Sequence, residues 1–162
     1  MSMDHNFWLF QEGERSYTEN HDLWGRQDAP VNIDDEMLRY FLDTLLWIPT
    51  FNPEKSTDGF GLNMWGPTII NQTGGALFSQ IFTSWVQLFT CGPKCLRLKG
   101  PFDWQWPYQE SEHIMNEDQL ETLGQYTQLE IDRDRLIQQL TTLAQFGKQA
   151  ATGDFFILHL GI

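Results

Sequence analysis

The chain is poor in basic residues. It has 10 Lys and Arg against 22 Asp and Glu, so its formal net charge is −12 at pH 7. A surface of that sign repels phosphate backbones and anionic lipids, so we expect neither nucleic acid nor a membrane surface as a partner. The chain also lacks an apolar run of the roughly eighteen residues that a membrane-spanning helix needs, and residues 1–16 lack the basic start of a secretory signal. We therefore expect a cytoplasmic protein.

Cysteine is also scarce, and the two thiols are Cys91 and Cys95. A disulfide between them would close a very short loop and stabilise little. Two thiols without a histidine nearby in sequence do not complete a four-ligand zinc site. We expect both to be reduced, and the alternative is a redox pair or a bridge.

The sequence has no recognisable catalytic or cofactor motif. No two histidines stand at the spacing of metal ligands, and the patterns of nucleotide-binding loops, nucleophile elbows and zinc proteases are missing. His159 lies in an apolar stretch, where we expect a satisfied structural role. Thr73-Gly-Gly precedes a helical pattern, and we expect it to cap that helix rather than to bind an anion. We therefore predict that the protein is not an enzyme and holds no cofactor or metal.

Pairs of carboxylates are frequent and allow a second interpretation. Acid–base chemistry needs two carboxylates in a water-poor cleft, whereas Asp34 with Asp35 stands where a helix N-terminus favours negative charge. We expect the pairs to form a solvated or partner-facing acidic surface. The alternative is a small hydrolase or metal-dependent enzyme that uses such pairs, which also include Glu110 with Glu112, Glu117 with Asp118, and Asp132 with Asp134.

Charge is distributed unevenly along the 162 residues, a length typical of one domain. Residues 1–60 and 103–134 each carry a net charge of −8, whereas residues 59–93 contain no Asp, Glu, Lys or Arg. A long segment without charge is typical of a buried centre. We expect this segment to form the core and the acidic segments to surround it.

Apolar periodicity predicts an α+β fold: a single domain over residues 1–162 with a mixed, mostly antiparallel sheet and about three helices packed on it. Trp47 and Trp85 fall in helical patterns and are expected in the core. Helices are predicted after the capping sequence Asn32-Ile-Asp-Asp, over residues 76–90 and over about 133–151. Strands are predicted over residues 6–11, 94–99, 126–132 and 155–160, and a strand or hairpin over 59–71. The alternative for the last third is one long helix over residues 120–149.

Two pairings of these elements are also predicted. Residues 94–99 and 102–106 both alternate, with Gly100-Pro101 between them, so we expect them to form a hairpin. The last strand, helix and strand have the length of a crossover unit.

Two acidic segments contain aromatic residues among turn-forming ones. Aromatic rings beside acids are the composition of a binding hot spot for a basic protein, although the same rings would also serve to cover the ends of the sheet. The predicted partner-binding residues are Glu12, Glu14, Glu19, Asp22 and Trp24 in the first segment, and Trp104, Glu110, Glu112, Glu117, Asp118 and Glu121 in the second.

The chain resembles the immunity proteins of bacterial polymorphic-toxin and contact-dependent growth inhibition systems. The resemblance lies in its small size, its acidity and the C-terminal run Leu129-Glu-Ile-Asp…Leu136-Ile-Gln-Gln-Leu…Phe155-Phe-Ile-Leu-His-Leu-Gly, with Gly66-Pro-Thr-Ile-Ile-Asn before an aromatic helix. It implies an antitoxin, monomeric or weakly dimeric when free, that binds and neutralises one cognate toxin domain, such as a basic nuclease. A self-assembling structural subunit is a further alternative.

Overall fold

A computed structural model describes residues 4–26, 28–102 and 124–162. Within these ranges the chain forms the predicted α+β fold, with a six-stranded sheet, a two-stranded sheet and four α-helices. The strands are β1 (Asp4–Gln11), β2 (Val31–Asp34), β3 (Pro49–Asn52), β4 (Thr57–Phe60), β5 (Pro67–Ile70), β6 (Cys95–Phe102), β7 (Tyr126–Asp132) and β8 (Phe155–Leu160). The helices are α1 (Asp35–Tyr40), α2 (Leu42–Leu45), α3 (Gln72–Thr90) and α4 (Arg133–Ala150), with a 3-10 helix at His21–Leu23.

The six-stranded sheet has the order β2-β1-β8-β5-β3-β4, and all its neighbouring strands pair antiparallel. The C-terminal strand β8 lies between β1 and β5, and five of its six residues are buried. A strand that is covered on both faces has no solvent side on which to place alternating polar residues. This explains the nearly continuous apolar sequence of β8.

Helices α3 and α4 pack side by side on one face of the sheet. They approach closely at Gly147, where an added Cβ atom would lie 2.7 Å from the backbone nitrogen of Ser79. The predicted capping role of Thr73-Gly-Gly is wrong, because α3 begins earlier and Asn71 caps it by accepting from the Thr73 backbone N–H at 3.1 Å. The two glycines lie inside the helix and are buried, so they permit packing rather than capping.

Residues 12–26 and 28–30 cover the opposite face of the sheet. On this face Trp8, Phe156 and Leu158 form a second apolar cluster, and Leu23 and Tyr17 of the covering segment belong to it. The Tyr17 ring lies 4.8 Å from the Phe156 ring between centroids, in an edge-on arrangement. The sheet therefore has a helix-covered face and a loop-covered face.

The helix predicted after Asn32 is shorter and begins later. Residues 31–34 form the edge strand β2, since they pair with β1, and Asp34 is the N-cap that accepts from the Glu36 backbone N–H at 3.0 Å. The helical pattern is then divided at Phe41 into α1 and α2. The predicted apolar spacing of the helix is correct, but residues 31–34 pair with β1 as a strand, so the helix begins only at Asp35.

Both predicted pairings of elements near the C-terminus are wrong. β6 continues through Gly100-Pro101 and pairs antiparallel with β7, so no hairpin turns at that point; residues 103–106 lie outside the described residues. β7 belongs to the two-stranded sheet and β8 to the six-stranded sheet, so α4 connects two sheets rather than crossing over within one. Local alternation identifies strands, but their partners are chosen by long-range register.

Candidate functional site

The first predicted partner-binding segment is an ordered loop whose acids are exposed. Glu12, Glu14, Glu19, Asp22 and Trp24 all lie on the surface, with Trp24 41% exposed. They therefore stand on one solvent-facing loop, as expected for a binding surface, although the segment also covers the sheet.

Much of the charge in this loop is engaged within the loop itself. Arg15 donates two hydrogen bonds to Asp22, at 2.6 and 2.8 Å. These bonds lower the pKa of Asp22 to about 2. The Tyr17 hydroxyl donates to Glu12 at 2.7 Å; burial, together with this carboxylate, raises the pKa of Tyr17 to about 12. The Trp24 indole N–H donates to the Asn20 side chain at 3.1 Å. These bonds fix the shape of the loop and neutralise part of its charge.

The second predicted partner-binding segment lies outside the described residues. Its predicted residues are Trp104, Glu110, Glu112, Glu117, Asp118 and Glu121.

An acidic cleft opens at the β2 edge of the sheet, where β2 and the start of β1 face β7 and the first turn of α4. Its volume is about 370 Å³. Asp4, Asp34, Glu130 and Asp132 line it, and Arg135 is the lining cation. Because the four carboxylates come from three strands, β1, β2 and β7, the fold concentrates a net charge of −3 in one small concavity.

Several of the cleft carboxylates also have structural roles. Asp132 caps α4 by accepting from the Arg135 backbone N–H at 2.9 Å, as Asp34 caps α1. Glu130 forms an ion pair with Arg97 at 3.3 Å, in which both side chains are well exposed. Such exposed pairs contribute little to stability, so the Glu130 carboxylate can exchange Arg97 for another cation at small cost.

Sequence reasoning did not place these acids among the partner-binding residues. It noted Asp34 and Asp132 only as members of local pairs, and it singled out segments by their acid density along the chain. The carboxylates of the cleft lie up to 128 positions apart, between Asp4 and Asp132. No local signal in one sequence reports such an assembly.

A buried histidine pair lies on the helix-covered face. His5 and His159 are both fully buried, and His5 Nδ1 lies 2.9 Å from His159 Nε2. His5 Nε2 lies 3.0 Å from Asp35 Oδ1, and Arg39 Nε donates to Asp35 Oδ2 at 2.7 Å. A continuous polar chain therefore runs from Arg39 at the surface of α1 to the buried His159 of β8.

The hydrogen bonds of this chain assign the tautomers of the two rings. Because Asp35 accepts, neutral His5 carries its proton on Nε2 and accepts at Nδ1 from the Nε2–H of His159. His159 Nδ1 is then a buried lone pair without a hydrogen-bond partner among the described residues. The expectation that His159 is a satisfied structural group is thus wrong for one of its two ring nitrogens.

Burial and contacts shift the titration of all three groups. Burial lowers the pKa of His5 against the opposing effect of Asp35, and burial lowers the pKa of His159 far more. Burial opposes ionisation of Asp35, but hydrogen bonds from His5 and Arg39 outweigh it and keep its pKa below the ordinary value. The pair is therefore neutral near pH 7 and joins β1, β8 and α1 without a net charge.

The described residues hold no cluster of three or more His, Cys, Asp or Glu that is arranged to bind a metal ion. Cys91 and Cys95, both described, are exposed and free.

An apolar groove of about 350 Å³ lies between α2 and α3. Trp47 and Leu88 form parts of its walls and are 61% and 59% exposed, so the prediction that Trp47 is a core residue is wrong. Trp85 is half-buried, and its indole N–H donates to the Thr44 hydroxyl at 3.0 Å. The uncharged segment 59–93 therefore contributes both core and an exposed apolar surface, which the lack of charge alone did not distinguish.

Comparisons of the chain with models of protein families, with curated proteins and with solved structures found no match. Within the described ranges, no helix combines the length and the apolar character needed to cross a bilayer.

Proposed function

We propose that this chain is an immunity protein, which binds a cognate cationic toxin domain in the cytoplasm and neutralises it without catalysing a reaction. The observation that carries the proposal is the acidic cleft at the β2 edge, where Asp4, Asp34, Glu130 and Asp132 converge against the single cation Arg135. A volume of about 370 Å³ accommodates a Lys or Arg side chain. The proposed toxin is a nuclease, because a nuclease cleft presents cations to phosphate.

Charge supports this role in two ways. A net charge of −12 accelerates encounter with a cationic protein, and the acceleration decreases as salt is added. A concave group of carboxylates then offers the several acceptors that a guanidinium or ammonium group needs in place of water. The acidic loop, residues 12–26 and 28, contributes to the same field, although Arg15 offsets part of its charge.

The test is co-expression with the product of the reading frame next to this chain's gene. We expect the chain to relieve growth arrest by that product and to co-purify with it. The double variant Asp4→Asn/Glu130→Gln should weaken the complex at least about tenfold and reduce its salt dependence, while leaving both helix caps in place. The matched control Glu54→Gln/Asp58→Asn removes the same charge from exposed residues of the β3–β4 hairpin and should have a much smaller effect.

Three other outcomes would contradict parts of the proposal. Equal effects of the two double variants would remove the cleft from the interface and leave only the overall charge. A strong effect of Glu14→Gln/Glu19→Gln in place of the cleft variant would transfer the interface to the acidic loop. Turnover of a substrate by the purified chain would favour the hydrolase alternative and end the proposal.

A further inference from the structure

The outward face of α3 carries no charge, which distinguishes it in a chain with 22 carboxylates. None of its 19 residues is Asp, Glu, Lys, Arg or His, and Gln80, Thr83, Ser84, Gln87 and Leu88 are exposed. The solvent side of a surface helix is ordinarily where charged residues are placed. This face instead borders the apolar groove.

The groove has rigid aromatic walls. Trp85 is held by its hydrogen bond to Thr44 and by stacking on Phe89, with 5.6 Å between ring centroids. Trp47 and Leu88 stand beside it with more than half of their surfaces exposed. Large apolar side chains held in place before binding lose little conformational freedom when a partner covers them, so the groove is suited to contact with another protein.

We propose that the occupant of this face is a second copy of the chain, docked through α3 about a twofold axis. In a twofold interface the same patch is used by both copies, so residues near the axis face their own counterparts. A charged residue near the axis would face the same residue of the other copy, and the two like charges would repel each other. A helix about 28 Å long, at 1.5 Å per residue, that carries no charge along its entire length meets this requirement.

The charge pattern argues against a cationic protein on the same face. Such a partner would be matched by carboxylates, and the chain places these in the acidic cleft and in the loop of residues 12–28 rather than on α3. Two copies at −12 each repel one another over most of their surfaces. This repulsion is weakest at the neutral face of α3. The free energy gained when Trp47 and Leu88 are buried between the two copies offsets the repulsion that remains.

The test introduces a charge of either sign at Gln80, an exposed residue in the groove wall. Sedimentation equilibrium of the wild-type chain should show a species of twice the 19.0 kDa mass, and the dimer fraction should increase with salt because screening reduces the net repulsion. Gln80→Glu alone and Gln80→Lys alone should each raise the dimer Kd about tenfold, since like charges then face each other. An equimolar mixture of the two variants should restore association.

Gln128→Glu is the matched control, because it makes the same change at an exposed position of β7, away from α3. It should leave the dimer Kd unchanged within about twofold. Circular dichroism of each variant verifies that the fold is intact. We expect an intact fold because Gln80 is exposed.

A wild-type chain that stays monomeric up to its solubility limit at high salt would overturn the proposal. A dimer Kd that is the same in wild type and in both Gln80 variants would overturn the proposal too. So would an equimolar mixture of the variants that fails to associate. Tighter capture of a cationic protein by Gln80→Glu would assign the face to that other occupant. The test needs no toxin, so its result is independent of the proposed immunity role.

Discussion

The two faces of the six-stranded sheet are covered by different kinds of structure. On one face α3 and α4 pack over an extensive core that includes the fully buried Phe7, Phe78 and Phe82. On the other face the described part of the covering segment, residues 12–26 and 28–30, has a 3-10 turn as its only helix and buries a smaller cluster around Phe156. The acidic loop is thus a structural cover as well as a candidate binding surface.

This difference shows how a loop rich in carboxylates can cover an apolar sheet. Its apolar side chains Tyr17 and Leu23 point to the sheet, while its carboxylates are exposed and partly joined to Arg15. Helices satisfy their backbone hydrogen bonds internally, whereas a loop must satisfy them with side chains and turns. We expect the loop-covered face to be the less stable of the two, because it buries less apolar surface.

The largest effect is expected from truncation on the helix-covered face. Phe82→Ala should lower the free energy of unfolding by about 3–5 kcal/mol, because it leaves a cavity among rings that cannot close around it. Phe60→Ala is the matched control, since Phe60 is 73% exposed and its removal should change stability by less than about 0.5 kcal/mol. Urea unfolding followed by circular dichroism measures both, and similar losses in the two variants would contradict the described core.

A smaller effect is expected on the loop-covered face. Leu23→Ala should lower the free energy of unfolding by about 2–3 kcal/mol, because Leu23 is buried against the sheet but a loop relaxes around a cavity more readily than packed helices do. Its control is Leu46→Ala, at a position that is 51% exposed. If Leu23→Ala costs no more than this control, residues 12–30 do not function as a cover, and the comparison of the two faces fails.

A pH-dependent effect is expected from mild acid, through the His5–His159 pair of the helix-covered face. Both pKa values are lowered in the folded chain, so below pH 6.5 the unfolded chain binds protons that the folded chain does not. The contribution of the neutral pair to the free energy of unfolding should therefore be fully present above pH 6.5. It should decrease as the pH falls, by up to about 1.4 kcal/mol per pH unit for each histidine. Most carboxylates titrate below about pH 5 and do not mask the effect.

Urea unfolding at a series of pH values between about 7 and 5 measures this dependence. His21→Gln is the control, because it removes an exposed histidine on the loop-covered side and leaves the buried pair intact. Proton NMR of the two buried rings provides a second readout. Rings that titrate near their ordinary pKa while the fold persists, or stability that does not change with pH, would contradict the assigned neutral pair.

Sequence patterns predicted the individual elements well where the pattern was long. The helix expected over about 133–151 is α4, at Arg133–Ala150, and the strand expected over 155–160 is β8. These predictions succeed because the spacing of apolar residues depends only on the local repeat of a helix or strand. The α+β class is confirmed for the same reason. Trp47 shows the limit of the method, since a helical pattern does not tell which apolar residues another element will cover.

The sequence by itself determined an acidic chain with amphipathic helices, an apolar C-terminal strand and a long segment without charge. Only the tertiary structure decided that β6 pairs with β7, that carboxylates of three strands share one cleft, and that His5 meets His159 across 154 positions. Composition and periodicity are local properties of a chain, whereas register and contact depend on which distant surfaces exclude water from each other.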